Sequence, residues 1–153
     1  MIEAQKILLI FNAINYLRHT QMKINYQLLK LSTIGDSRGK LTVIEGGQNI
    51  PFNIERVFYM HDIISDRGGH AHIETDQIII AIHGNYDITI DNGTEKETIM
   101  MSNSEIGLYL PRLTFTSFSN ISEDAVILVL ANTHYDMSKS IRTYEEFISF
   151  INK

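Results

Sequence analysis

Arg67-Gly68-Gly69-His70-Ala71-His72 is followed, after five intervening residues, by Ile78-Ile79-Ile80-Ala81-Ile82. The second run is short, β-branched and without a polar position, which is the pattern of a strand covered on both faces. Side chains at i and i+2 of a strand share a face, so a strand over the first run projects His70 and His72 side by side. Two imidazoles on one face can bind a metal, move protons, or do both.

Outward from this pair the chain keeps the same texture. Gln77 to His83 reads as one strand, closed by Gly84-Asn85. Tyr86-Asp87-Ile88-Thr89-Ile90 alternates polar and apolar, Asp91-Asn92-Gly93 is a hairpin turn, and Glu97 to Met100 is its return strand. Further strands are predicted over Gly107–Pro111, Thr114–Phe118 and the apolar Ala125–Ala131. On the N-terminal side strands are expected over Ile24–Leu31, Leu41–Glu45 and Glu55–Asp62, with turns at Gly35–Gly39 and Gly46–Asn49. Tyr144 to Ile151 has helical spacing. So do Ile7, Ile10, Phe11, Ile14 and Leu17, so residues 1–21 are expected to be a helical N-terminal extension, with Met22 a candidate start, followed by a single domain over 22–153. About ten short strands with helices only at the ends predict an all-β sandwich or small barrel.

Composition narrows the function. The 153 residues are 44% hydrophobic and 20% charged, as in an ordinary globular domain, and the net charge of −5 argues against a nucleic-acid or anionic-membrane partner. With no cysteine there is no thiol catalysis, disulfide or thiolate metal site, which fits a cytoplasmic location. No apolar run reaches the length of a membrane span. Glu3 precedes the apolar run Ile7–Phe11, and Asn12 and Asn15 cut it short, which argues against a secretory signal.

The histidine strand resembles the first cupin motif, His-x-His, four residues, an acidic ligand, six residues, Gly. Here His70 and His72 lead after four residues to Gln77, and six residues later comes Gly84. The second motif has a proline and a ligand histidine five residues on; Pro111 and Thr116 stand there. The resemblance implies a cupin jelly-roll β-barrel, yet the set His70, His72, Gln77, Thr116 lacks an anionic donor. Stable divalent sites need three or four good N, O⁻ or S⁻ ligands, so no metal is expected. The histidines are then read as a proton-transfer pair, for which an unperturbed pKa near 6.5 suits them.

Several segments in order are similar to the cupin family of nucleotide-sugar 3,4-ketoisomerases, which act on dTDP-4-keto-6-deoxyglucose. They are Ile34–Gly39, Asn49–Phe52, Arg56–Tyr59, Arg67–His72, Asp91–Gly93, Gly107–Tyr109, Val129–Ala131, Tyr135-Asp136 and Ile141–Tyr144. The resemblance implies isomerisation of a dTDP-linked keto-sugar without a cofactor, for a cell-surface amino sugar, with His70 and His72 as the acid/base pair. It also implies a homodimer with exchanged N-terminal strands. Arg38, Arg56 and Arg67 are candidate diphosphate contacts, and Tyr59, Gln77 and Thr116 candidate sugar contacts. Arg56 and Phe58 share one strand face and Val57 and Tyr59 the other, so one set alone looks inward. The family has a Trp-His pair where Phe115-Thr116 stands, and Arg112 is expected near the pocket. His83 is read as structural or on the surface, and His19, His61 and His134 as bystanders. Other readings are a dTDP-keto-sugar epimerase, a nucleotide-sugar-binding cupin that has lost catalysis, and a metal cupin with an unusual ligand set.

Overall fold

The computed structural model describes residues 23–153; the helix expected over residues 1–21 lies outside the described residues. Twelve strands are present among them: β1 (Gln27–Lys30), β2 (Ser32–Asp36), β3 (Gly39–Val43), β4 (Arg56–Met60), β5 (Arg67–His72), β6 (Gln77–His83), β7 (Tyr86–Asp91), β8 (Lys96–Met101), β9 (Ile106–Leu110), β10 (Phe115–Ser119), β11 (Val126–Ala131) and β12 (Ser140–Ile141). A 3₁₀ turn covers Met137–Lys139, and helix α1 covers Tyr144–Ile151.

The strands form two five-stranded antiparallel sheets, ordered β1-β9-β6-β11-β4 and β12-β5-β10-β7-β8, with β2-β3 as a separate ribbon. From β4 onward the chain passes back and forth between the sheets so that β4, β6, β9 and β11 lie in one and β5, β7, β8 and β10 in the other. That is jelly-roll connectivity. The sheets face each other as separate hydrogen-bonded units, so the expected barrel is a flattened one, open along its edges.

The isoleucine run of β6 is buried on both faces for two separate reasons. Ile79 and Ala81 turn inward and pack between the sheets with Ile88, Ile90, Leu108, Ile127 and Val129. Ile78 and Ile80 turn outward into a second core with Leu31, Ile50 and Leu130, against which Ile44, Phe52 and Ile54 also pack. On the outer side of the other sheet a third cluster joins Ala71, Ile141 and Phe147. Here α1 seals the sheet. Its start is capped by Thr143, whose side-chain oxygen accepts from the Glu146 N–H, with Glu145 and Glu146 in the first turn.

The strand order matches the sequence expectation closely downstream of Arg56. Upstream, β2 was hidden: Gly35–Gly39 reads as one turn cluster, but the turn occupies only Ser37-Arg38, and Ile34, Gly35 and Asp36 pair with Leu41, Lys40 and Gly39. The two-residue β12 is too short to produce a periodic signal.

Candidate active site

The histidines owe their orientation to the two glycines before them. β5 pairs with β10 through Thr116 opposite His70 and Ser117 opposite Gly68, so the register slips and Gly69 is the extra residue of a bulge. Gly68 and Gly69 have φ of 83° and 74°. A Cβ on Gly68 would lie 2.7 Å from the Thr116 carbonyl oxygen, so no side chain fits. Beyond the bulge, Ala71 faces outward into the α1 cluster and is fully buried. His70 and His72 therefore face inward, their rings in edge-to-face contact with centroids 4.9 Å apart.

They line a cavity of about 660 Å³ between the sheets, within the usual range for small-molecule sites. Of the residues singled out in the sequence, His70, His72, Arg56, Tyr59, Arg67, Gln77 and Thr116 all border it. Arg56, Phe58 and Met60 are the inward set of β4, while Val57 and Tyr59 are exposed on the outer face. Tyr59 reaches the cavity only at its mouth, its ring 5.3 Å from His61. Gln77 and Thr116 are buried beside the histidines, and the Thr116 hydroxyl donates to the His70 carbonyl at 3.4 Å.

Two arginines are elsewhere within the chain. Arg38 sits on the β2–β3 turn, paired to Asp36 at 2.5 Å. Arg112, expected near the pocket, instead forks onto Asp76 at 3.0 and 3.1 Å and does not line the cavity. His83 pairs with Asp124, His61 with Asp62 and His134 with Glu55, all outside the cavity. His19 lies outside the described residues.

The cavity also takes in residues to which the sequence alone gives no role: Tyr135, Ser140 and Arg142. Ser140 and Arg142 flank Ile141 in β12 and just beyond it; Tyr135 and Arg142 fall in segments similar to the family without a role attached, and Ser140 has only the polar-apolar-polar alternation of three residues. The Arg56 guanidinium lies 5.3 Å from the Phe58 ring centroid and 5.4 Å from that of Tyr135, and its buried Nε has no hydrogen-bond partner among the described residues. A polar atom in that state calls for an acceptor from a ligand or water. Arg56, Arg67 and Arg142 line the same cavity, with Asp66 as the sole carboxylate among the described residues. In a chain of net charge −5 that is a local anion site.

The imidazoles are held neutral. Burial is the main cause, pushing His70 below its ordinary 6.5; the hydrogen bond to Gly68 works the other way, and the Arg142 charge lowers it further. His72 is pushed down to about 4, first by burial and then by the charges of His70, Arg56 and Arg142. The Gly68 backbone lies close enough to the His70 ring to favour its protonated form slightly against the effect of burial. The His72 Nδ1 is 3.4 Å from the Ser140 hydroxyl.

This donor set does not fit a catalytic metal. The four cupin ligand positions carry two imidazoles, an amide and a hydroxyl. Among the described residues no three histidine or carboxylate side chains gather anywhere. What the arrangement can do is exchange protons with a bound anionic ligand.

Comparison with known proteins bears on that ligand. The profile of the WxcM-like, C-terminal family (FdtA) matches residues 24–152. A curated relative, the TDP-4-oxo-6-deoxy-alpha-D-glucose-3,4-oxoisomerase of Aneurinibacillus thermoaerophilus, is 34% identical over 129 residues, covering 83% of this chain and 93% of its own. The solved structure of WlaRA, a TDP-fucose-3,4-ketoisomerase from Campylobacter jejuni, superposes with a TM-score of 0.79 at 37% identity over 83% of this chain and 96% of that one. QdtA, a sugar 3,4-ketoisomerase from Thermoanaerobacterium thermosaccharolyticum solved with TDP, gives 0.81 at 34% identity over 84% and 95%. A mutant of that enzyme was solved with TDP-4-keto-6-deoxyglucose.

Proposed function

The chain belongs to the WxcM-like, C-terminal (FdtA) family, and from that premise we propose that it is a nucleotide-sugar 3,4-ketoisomerase converting dTDP-4-keto-6-deoxyglucose to the 3-keto isomer. The observation that carries the reading is the neutral His70–His72 pair, set edge to face in a cavity lined by three arginines.

The C3 hydrogen of the substrate is acidified by the adjacent C4 ketone. His70, the less depressed of the two bases, takes that proton. The C–H electrons form the C3=C4 double bond and the C4 carbonyl becomes an enolate oxygen. Protonation of that oxygen gives the enediol. Loss of the proton from the C3 hydroxyl then forms the C3 ketone as C4 accepts a proton on carbon. His72, in ring contact with His70, relays protons between the two oxygens. Arg56 and Arg67 hold the diphosphate, and Gln77 and Thr116 contact the sugar. Tyr59 borders the mouth where the nucleoside enters. Arg38 lies outside this set within one chain.

No metal or redox cofactor enters these steps. We further propose cytoplasmic action in the assembly of a cell-surface amino sugar, and a homodimer with exchanged N-terminal strands. β1 has an unpaired outer edge among the described residues, which suits such an exchange. Sedimentation should give twice 17.5 kDa; a monomer would refute the dimer.

The deciding experiment is turnover of dTDP-4-keto-6-deoxyglucose in D₂O with chelator present, read by NMR of the product. Deuterium at C4 and a C3 ketone are expected. Deuterium at C3 or C5 with the C4 ketone retained would make it an epimerase, and binding without turnover a catalytically silent cupin. His70→Asn and His72→Asn should each abolish turnover while melting cooperatively; full activity in either removes that residue from catalysis.

A further inference from the structure

We propose that Arg142 stabilises the enediolate oxygen formed during proton transfer, acting at the reacting atoms and not at the diphosphate. The proposal rests on the ketoisomerase reading and adds a residue to it.

Placement comes from register. β12 pairs with β5 so that Ser140 stands opposite His72 and Ile141 opposite Ala71; one step further, Arg142 comes abreast of His70. Ile141 and Ala71 are buried in the cluster beneath α1. By alternation Ser140 and Arg142 take the opposite face, the one bearing the histidines, and both do line the cavity. Arg142 is held between two fixed points. On one side Ile73 N–H donates to the Lys139 carbonyl at 2.9 Å, and on the other Thr143 caps α1. The backbone of Arg142 is thus anchored, and its exposed side chain borders the cavity from the β12 side, within electrostatic reach of both imidazoles.

Pairing sets Arg142 apart from Arg38 and Arg112. Arg38 is neutralised by Asp36 and Arg112 by Asp76. Arg142 makes no ion pair or hydrogen bond to any described residue. Arg56 stacks on the Phe58 and Tyr135 rings and is assigned to the diphosphate, and Arg67 lies on the far side of the glycine bulge, next to Asp66. The charges that bear on the imidazoles are Arg142 from the β12 side and Arg56 from β4; Asp66 and Arg67 border the same cavity at its loop end. Arg142 is the cation whose charge bears on both rings, whereas that of Arg56 bears on His72. A preorganised donor aimed at a developing oxyanion contributes about 10²–10³ in kcat.

Steady-state kinetics of the full chain with dTDP-4-keto-6-deoxyglucose test this, comparing wild type with Arg142→Gln and Arg142→Lys. Arg142→Gln should lower kcat roughly 10²- to 10³-fold with KM changed less than about twofold. The acid limb of its kcat/KM profile should move to higher pH, because a positive charge beside both imidazoles has gone. Arg142→Lys should recover part of kcat and restore the acid limb. Calorimetry with TDP alone should find equal affinity for wild type and Arg142→Gln. A rise in KM with kcat intact, or a tenfold loss of TDP affinity, would make Arg142 a diphosphate ligand and overturn the proposal. Unchanged kinetics would overturn it too. Absence of turnover in the wild type would sink the ketoisomerase reading itself, whereas an active wild type with an indifferent Arg142→Gln sinks only this one. If Arg142→Gln does not fold, the kcat of Arg142→Lys relative to wild type decides, since a lysine keeps the charge and loses the planar fork; wild-type kcat there refutes a need for the fork and overturns the assignment.

Discussion

At the scale of single residues, burial favours the neutral form of both imidazoles, and this fixes how the protein responds to acid. In the unfolded chain His72 takes a proton near pH 6.5, while in the fold it resists until about pH 4. Between those values the unfolded state binds more protons, so stability is full above about 6.5, falls as the pH drops through the window, and levels off below 4. His70 adds to the loss in the same direction. Melting midpoints measured from pH 7 to pH 4 should therefore decline, and His72→Asn should remove its share of that slope; an unchanged slope would mean His72 is not held neutral. Side-chain identity was legible at this scale from spacing alone: i and i+2 placed both histidines on one face. Which of Arg56 and Val57 looked inward was not legible, because alternation gives two faces and burial chooses between them. Arg112 was misplaced for a related reason. Nearness in sequence to Thr116 says nothing of Asp76, which lies 36 residues away and holds the guanidinium.

At the scale of elements, the Gly68-Gly69 bulge and the β12 latch aim the histidines. Gly68→Ala would bring a Cβ to 2.7 Å from the backbone of β10 and force a positive φ on alanine. The backbone strain alone is worth roughly 1–3 kcal/mol, and relief requires β5 to shift relative to β10. The expected outcome is a lowered melting midpoint with kcat falling more than folding loss explains. Gly69→Ala, where a Cβ meets nothing within 4 Å, should be milder. Equal effects would mean that contact with β10 does not set the site. The glycines were visible in the sequence, but a bulge is a relation between two strands, and a single strand's sequence does not show it. The same limit hid β12, whose two residues are defined by their partner and not by their own pattern, and with it the place of Arg142.

At the scale of the whole molecule, an all-β sandwich or small barrel was legible because so many short alternating segments, punctuated by turns, leave few other architectures, and the cupin resemblance of the histidine strand narrowed it to a jelly roll. The double burial of β6 was legible too, as an unbroken apolar run. What covers its outer face was not: the second core draws on Leu31 and Ile44 from expected strands but also on Ile50, Phe52 and Ile54, from a stretch with no strand pattern of its own.

That second core has a mechanical consequence. The wall of the cavity built on β6 and β11 is packed from both sides, like a plate clamped between two blocks, and gives little. The wall that carries the histidines is backed through a two-residue ladder and one short helix. Any compliance the cavity has is therefore expected on the side that carries the histidines, where a shift of the wall also shifts the two rings.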